Sequence, residues 1–249
     1  MPSEATVDFV IPVYNEAANI EGALRSLYAA ATMAKRVLIV YDFDGDTTIP
    51  VVQRLMPELT GLETVRNERG RGVLNAIRSG IDAATGDVVI ISMADLSDDP
   101  VVIPEMVRLI REKGFDLVCA SRYMKGGRQV GGPLLKRTLS RLAGITLYWF
   151  GALPVHDATN AFRAYRRAVL ITLEIESRGG FEYSLELTAK AAAAGHRIAE
   201  VPSIWRDRSA GASRFRLFHW LPHYLKWYWY ALVHRGAKRA ATRAQRDAL

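Results

Sequence analysis

The chain has 249 residues, 49% of them hydrophobic and 24% charged, with one cysteine and a formal net charge of +7. That composition excludes disordered, collagen-like and low-complexity architectures, and the length suits one large domain or two small ones. Cys119 has no partner for an internal disulfide, which points to a reducing compartment.

The first expected element is an apolar run at 7–11. It follows Glu4 and Asp8 rather than a basic start, so it reads as a strand and not as a secretory signal. Further strands are expected at 36–41, 62–66, 87–92 and 115–120, each rich in Val, Ile, Leu or Phe. Helical spacing lies between them: Ile20, Ala23, Leu24 and Leu27; Val73, Leu74, Ile77 and Ile81; Val102, Met106, Leu109 and Ile110. Such alternation predicts an α/β fold with a mostly parallel sheet covered by helices on both faces. Sheets of this kind bind ligands beyond the carboxyl ends of their strands.

Those ends are acidic. Pro12-Val13-Tyr14-Asn15-Glu16 follows the first strand, Tyr41-Asp42-Phe43-Asp44-Gly45-Asp46 the second, and Asp95-Leu96-Ser97-Asp98-Asp99 the fourth. Carboxylates gathered at one sheet edge repel each other unless a metal ion, or donors on a base and ribose, lie between them. Asp42 and Asp95, just beyond buried strands, fit that role; Asp46, Asp98 and Asp99 fit caps of the helices that follow. Gly70-Arg71-Gly72 precedes a helix start and suits a phosphate or a base edge. Neither a G-x-G-x-x-G run after the first strand nor a P-loop pattern is present.

The charge divides near residue 120. Residues 1–120 carry 11 Lys and Arg against 18 Asp and Glu, and residues 121–249 carry 22 against 8. Windows 117–156 and 208–246 contain no acid. Nucleic acid, an anionic membrane and a phosphorylated substrate all suit that asymmetry. In the first window Leu134, Leu135, Leu139, Leu142, Tyr148, Trp149 and Phe150 interleave with Lys125, Arg128, Lys136, Arg137 and Arg141. An apolar surface bordered by cations suits a lipid tail joined to a phosphate, although part of this charge is an ordinary solvated helix face. The longest uncharged stretch, 142–155, is too short to span a bilayer, which excludes an ordinary integral membrane protein. Residues 215–230 crowd Phe, Trp, Tyr and Leu around Arg216 and Lys226, with Pro222 placed to start a helix. Leu221, Leu225, Tyr228 and Leu232 would share one face of it. Aromatic and basic residues together mark interfacial helices. The tail cations Arg235, Lys238, Arg239, Arg243 and Arg246 would each add about 1 kcal/mol at an anionic leaflet. The other reading is a helix packed on the sheet, followed by a basic tail.

Val10-Ile11-Pro12-Val13-Tyr14-Asn15-Glu16, the Asp42…Asp46-x-Thr48 turn, Gly70-Arg71-Gly72 and Ala94-Asp95-Leu96-Ser97 together resemble the family 2 glycosyltransferases. Ser121-Arg122-Tyr123, Asn160-Ala161-Phe162-Arg163-Ala164-Tyr165-Arg166, Gly180-Phe181-Glu182, Glu200-Val201-Pro202 and Asp207-Arg208…Ser213-Arg214 are similar to the dolichol- or polyprenol-phosphate mannosyltransferase branch. The ordered resemblance runs over about 7–216 and implies a GT-A fold and inverting transfer from a nucleotide sugar. It implies that Pro12, Tyr14, Glu16 and Asp42 hold base and ribose, with Arg71 where a base-side lysine is usual. Asp95 corresponds to the second acid of the metal-binding D-x-D, and Arg122, Arg208 and Arg214 to cations near the donor diphosphate and acceptor phosphate. Arg214 stands for the usual lysine, which keeps the charge and changes the donor geometry.

Two positions depart from the pattern: Met93 replaces the first D-x-D acid, and Tyr41 the first acid of the turn. A thioether is a poor ligand for a hard cation. Mg2+ or Mn2+ could still be held by Asp95, with Ser97 or Asp98 through water and the substrate's phosphates. The competing readings are charge neutralisation by arginines alone, or lost activity. A phosphate acceptor would also need no general base, since a phosphate monoester with a second pKa near ~6 is already anionic at neutral pH. Asp157 would then orient one of the arginines, or be a plain loop acid.

The resulting expectation is a GT-A domain over 1–214, with a nucleotide-binding half at 1–120 and an acceptor half at 121–214, and an interfacial helix and basic tail over 215–249. The expected activity moves a hexose, mannose from GDP-mannose, to a polyprenyl or dolichyl phosphate at the cytoplasmic face of a membrane. A UDP-glucose-class donor or a soluble acceptor is the runner-up, and a non-catalytic nucleotide-binding membrane protein the alternative of another class. No nucleic-acid partner is expected.

Overall fold

A computed structural model describes residues 6–150, 152–207 and 217–234, with the backbone alone at 217–220. Apolar runs fold where the sequence places them: β1 (Val7–Pro12), β2 (Lys35–Tyr41), β3 (Leu62–Arg66), β4 (Val88–Ile91) and β5 (Leu117–Ser121). Every residue of β1, β4 and β5 is buried, as expected of strands covered on both faces. Two strands the apolar pattern does not announce, β7 (Arg163–Arg166) and β8 (Ile198–Pro202), complete a seven-stranded sheet ordered β3-β2-β1-β4-β7-β5-β8. Only β7 is antiparallel to its neighbours. The carboxyl ends of β1, β2, β4 and β5 therefore share one edge with the start of β7. A short second sheet pairs β6 (Arg128–Val130) with β9 (Ile204–Arg206).

Side chains alternate across the sheet. Val7, Phe9 and Ile11 meet α1 (Ile20–Ala30), α2 (Thr48–Leu55) and α4 (Ile103–Arg111) on one face. Val10, Leu38 and Ile91 meet α3 (Val73–Ala83), α7 (Tyr183–Ala193) and parts of α5 (Leu134–Trp149) and α8 (Leu217–Val233) on the other. A single turn, α6 (Arg167–Leu170), adds Leu170 to that side.

Only Gly144 and Leu147 of α5 are buried. A Cβ at Gly144 would stand 2.0 Å from the His156 carbonyl oxygen, so glycine is what lets α5 lie against the chain entering β7. Helix α8 joins the core through Trp227 and Ala231. The Trp227 indole N–H donates to Ser177 Oγ at 2.9 Å, and its ring lies under the ammonium groups of Lys190 and Lys226. Tyr228 donates its hydroxyl proton to Thr146 Oγ1 at 2.9 Å, which ties α8 to α5. One side of α8 is thus packed on the domain. The apolar side left exposed steps by four through Leu225, Trp229 and Val233. Pro222 lies inside the helix rather than at its start. Phe215, Arg216 and the basic tail lie outside the described residues.

Candidate active site

Three loops meet beyond β1, β2 and β3. After β1, Asn15 takes a left-handed conformation at φ 55°, and its N–H faces both carboxylate oxygens of Asp46 at 3.1 Å. Asp46 Oδ1 also accepts from Thr48 N at 2.8 Å. Asp46 therefore does cap α2, and the same carboxylate fastens the β1 loop to the β2 loop. Glu16 N donates to Thr48 Oγ1, and one Glu16 carboxylate oxygen accepts from Asn19 Nδ2. Asp42 accepts from Asn67 Nδ2 at 2.6 Å and from Gly72 N at 2.8 Å, which holds the Gly70–Gly72 turn beside the strand ends. Gly72 sits at φ 130°, a conformation other residues rarely adopt. The Arg71 guanidinium lies 5.1 Å over the Phe43 ring, and the Tyr14 ring is 5.6 Å away on a tilted plane.

Pro12, Tyr14, Glu16, Asp42 and Arg71 thus come from separate loops to one end of the sheet edge. Phe43 joins them, a residue the sequence reading passed over. Its signal was an aromatic side chain between two acids just past a buried strand. The carboxylates of Glu16 and Asp42 retain acceptor capacity beyond these protein partners.

The loop after β4 is strained. Leu96 has φ 60°, unusual for a branched residue and costing on the order of 1–3 kcal/mol. Asp95, almost fully buried, accepts from Ser97 N at 3.1 Å and Ser97 Oγ at 2.6 Å. Strand β9 crosses this loop: Arg206 N donates to Ser97 O at 2.8 Å, and Asp98 bridges Trp205. Asp98 is not a helix cap, contrary to expectation. Asp99 fills that role by accepting from Val101 N. Asp98 instead turns inward toward Asn160 Nδ2, 3.5 Å away. Burial and the neighbouring Asp95 carboxylate push Asp98 up to about 7, against the pull of Arg122.

The folded protein thus keeps a proton on Asp98 that the unfolded chain releases near pH 4. That contribution to stability is present at low pH and is lost as pH rises through about 7. Thermal melts of the protein and of Asp98→Asn are expected to diverge between about pH 4 and 7, the unsubstituted protein losing more Tm. Parallel slopes would count against this placement of Asp98.

At the end of β5, Asp157 is fully buried against Arg122. Arg122 Nε donates to Asp157 Oδ2 at 2.6 Å and Nη2 to Oδ1 at 2.9 Å. The Asp157 carboxylate also accepts from the N–H groups of Arg122 and Asn160, each at 3.1 Å. Burial alone would raise Asp157; the charge and hydrogen bonds of Arg122 hold it below the usual carboxylate range. Arg122 Nη2 also reaches Ser140 Oγ at 3.2 Å and Thr159 Oγ1 at 3.0 Å. Among the described residues no protein group accepts from Nη1, so the guanidinium is fixed along one edge and keeps donors on another.

A second, fully buried arginine supports this loop from behind. Arg163 Nε donates to Asn160 O at 2.6 Å, Nη2 reaches Asp157 O at 3.3 Å, and Nη1 meets the Thr188 hydroxyl. Glu200 accepts from His156 N at 2.9 Å and pairs with the His156 ring, which stacks on Tyr148. Arg208 and Arg214 lie outside the described residues.

Among the described residues, no three His, Cys, Asp or Glu side chains form a group able to hold a metal ion. The donors after β4 are Asp95, Ser97 and Asp98. These hard oxygens fit Mg2+ or Mn2+ only as part of a ligand set that phosphate oxygens and water would complete.

The Glycosyl transferase family 2 model matches residues 8–173. A dolichol-phosphate mannosyltransferase from Pyrococcus furiosus is 29% identical over 232 residues, 89% of this chain and 64% of its own length. A polyprenol monophosphomannose synthase from Mycolicibacterium smegmatis is 28% identical over 86% of this chain and 82% of its own. The chain thus spans under two thirds of the Pyrococcus protein. Among solved structures, a mannosyltransferase from Pyrobaculum calidifontis, in complex with GDP-Man and Mn2+, superposes with TM-score 0.68 at 21% identity. That match covers 99% of this chain and 74% of the other. Glucosyl-3-phosphoglycerate synthase from Mycobacterium tuberculosis, bound to Mn2+, UDP and its product, gives 0.62 at 20% identity, covering 94% and 80%. These two share the fold.

Proposed function

The chain belongs to glycosyl transferase family 2, and on that premise we propose that it transfers mannose from GDP-mannose to a polyprenyl phosphate, with inversion at the sugar's anomeric carbon. The observation that carries this reading is Arg122: a guanidinium clamped by buried Asp157, with no acceptor for Nη1 among the described residues, beside Asp95 and Asp98. Such an edge suits a phosphate. An oxygen of the acceptor phosphate forms the new bond to the anomeric carbon as the bond to the donor's diphosphate breaks, and GDP leaves. The acceptor brings its own negative charge, so the step needs positioning and charge neutralisation rather than a base.

Tyr14, Glu16, Asp42 and Arg71 are assigned to base and ribose, with Pro12 shaping the strand end beneath them. Asp95 would hold Mg2+ or Mn2+, which when bound neutralises the leaving diphosphate. Arg122 serves the phosphates and Asp157 orients it; Arg208 and Arg214 are assigned to phosphates by the resemblance alone. Two relatives named for polyprenol- or dolichol-linked mannose support the sugar and the acceptor, and a fold neighbour in complex with GDP-Man supports the donor nucleotide.

The lipid end of the acceptor is assigned to α5 and α8. Leu135 is 55% exposed and Trp149 78% on α5, and Trp229 67% on α8. Lys136, Arg137 and Arg141 interleave with the α5 stripe. No helix among the described residues is long and apolar enough to cross a membrane. Peripheral attachment to an anionic surface at its cytoplasmic face fits this combination.

The deciding experiment incubates the purified protein with labelled GDP-mannose or UDP-glucose, polyprenyl phosphate in vesicles, and Mn2+. Lipid-linked mannose is expected to form faster than lipid-linked glucose. No lipid-linked product from either donor would overturn the assignment.

A further inference from the structure

Helix α5 faces outward through Leu135, Leu139 and Leu142, yet one of its polar side chains turns toward the arginine. Ser140 Oγ lies 3.2 Å from Arg122 Nη2, 2.9 Å from the Tyr123 hydroxyl and 2.6 Å from Thr159 Oγ1. A serine hydroxyl has one proton to donate and two lone pairs to accept with. All three are used if Ser140 accepts from Arg122 and Tyr123 and donates to Thr159. Thr159 then donates to Asp157 Oδ1, 3.3 Å away, and the chain of hydrogen bonds closes on the carboxylate that clamps Arg122.

Among the described residues, no other α5 side chain hydrogen-bonds Arg122. Tyr123 has a second acceptor in reach, Gln129 Oε1 on β6 at 3.0 Å. Its hydroxyl therefore stands between α5 and the short sheet that covers the Asp95 loop.

We infer that Ser140 is a positioning residue for the transfer: it sets the Arg122 guanidinium from α5, so that the helix assigned to the lipid and the cation assigned to its phosphate move as one unit. This rests on the phosphate-acceptor reading given above. Its consequence is that a long lipid chain engaging α5 improves the placement of the phosphate at Arg122, while a short acceptor gains nothing from that link. Binding of the donor base and ribose, at the other end of the sheet edge, is independent of it.

Ser140→Ala and Ser140→Thr test the inference, with Tm recorded for each. For Ser140→Ala, kcat with long-chain polyprenyl phosphate in vesicles is expected to fall about tenfold, the size of a lost hydrogen bond to a charged group. The KM for GDP-mannose should stay within about twofold, and the preference for the long acceptor over a short, water-soluble prenyl phosphate should largely disappear. Threonine keeps the hydroxyl and should restore that preference. Equal losses on both acceptors, or an unchanged preference, would overturn the inference.

Calorimetry with long-chain polyprenyl phosphate in vesicles reads the site without turnover. Weaker binding to Ser140→Ala than to the unsubstituted protein is expected, and equal affinity would also overturn it. Should the unsubstituted protein transfer to no acceptor while Ser140→Ala still weakens phosphate binding, the proposed function alone fails.

Discussion

Asp95→Ala is expected to lower kcat/KM about a thousandfold, the range found when a main source of transition-state charge stabilisation is removed. The argument is local. Strand β4 ends at Ile91, and the residue matching the first metal-binding acid is Met93, whose sulfur is a poor donor to Mg2+ or Mn2+. Asp95 is left as the buried carboxylate at that strand end, and it also organises its own turn by accepting from Ser97 N and Oγ. Alanine removes both functions at once, beside a Leu96 already held at φ 60°. Asp95→Asn separates them, because its amide oxygen can still accept from Ser97 while the formal charge is lost. Electron paramagnetic resonance of Mn2+ with GDP should show weakened binding in Asp95→Asn, at a Tm close to that of the unsubstituted protein. An Asn variant keeping metal-stimulated transfer within about threefold would refute the role given to Asp95 and favour neutralisation by arginines.

How far this site could be read from sequence follows from the physics of each element. Strands β1, β2, β4 and β5 were legible because strands buried on both faces appear as continuous apolar runs, whereas edge strand β3, only partly buried, showed through Leu62 and Val65 alone. Strand β7 was not: its sequence, Arg163-Ala164-Tyr165-Arg166, looks polar. Its arginines are satisfied by tertiary partners, Arg163 by Thr188 and Arg166 by Asp116, neither of which local spacing reveals. Asp42 and Asp95 were legible as acids just past apolar runs. Asp98 was misassigned because Asp98-Asp99-Pro100 reads as a capping sequence before a proline at the first helical position. Two adjacent acids competed for one cap; Asp99 took it and Asp98 was left to face the interior. Phe43 and Ser140 owe their places to chain segments distant in sequence. The exposed side of α8 depended on which face Trp227 and Tyr228 committed to packing, which an aromatic-rich helix does not announce.

Asp157→Ala is expected to destabilise the fold by about 3–5 kcal/mol, the cost of leaving one member of a buried ion pair alone. For a chain of this length that corresponds to a Tm lower by about 10 °C. Asp157 has no exposed surface and only 10% of the Arg122 side chain is exposed, so water replaces little of the lost partnership. The substitution also strips the acceptor from the backbone N–H groups of Arg122 and Asn160, which hold the two chain segments together at the sheet edge. Asp157→Asn should cost less, because its oxygen still accepts, yet it should raise the KM for the acceptor by loosening the guanidinium. Removing both charges in Asp157→Asn with Arg122→Met should cost less than the sum of the single changes. The pH dependence has a definite sign. Arg122 holds the folded carboxyl below its unfolded value, so its contribution is complete above about pH 4 and fades as pH falls further. Urea melts at pH 7 and pH 3 should therefore show the gap between the unsubstituted protein and Asp157→Asn shrinking with acid. If that gap is unchanged, or if Asp157→Ala costs less than about 1 kcal/mol, well short of a broken buried pair, then Asp157 is a plain loop acid and Arg122 is held by its hydroxyl partners.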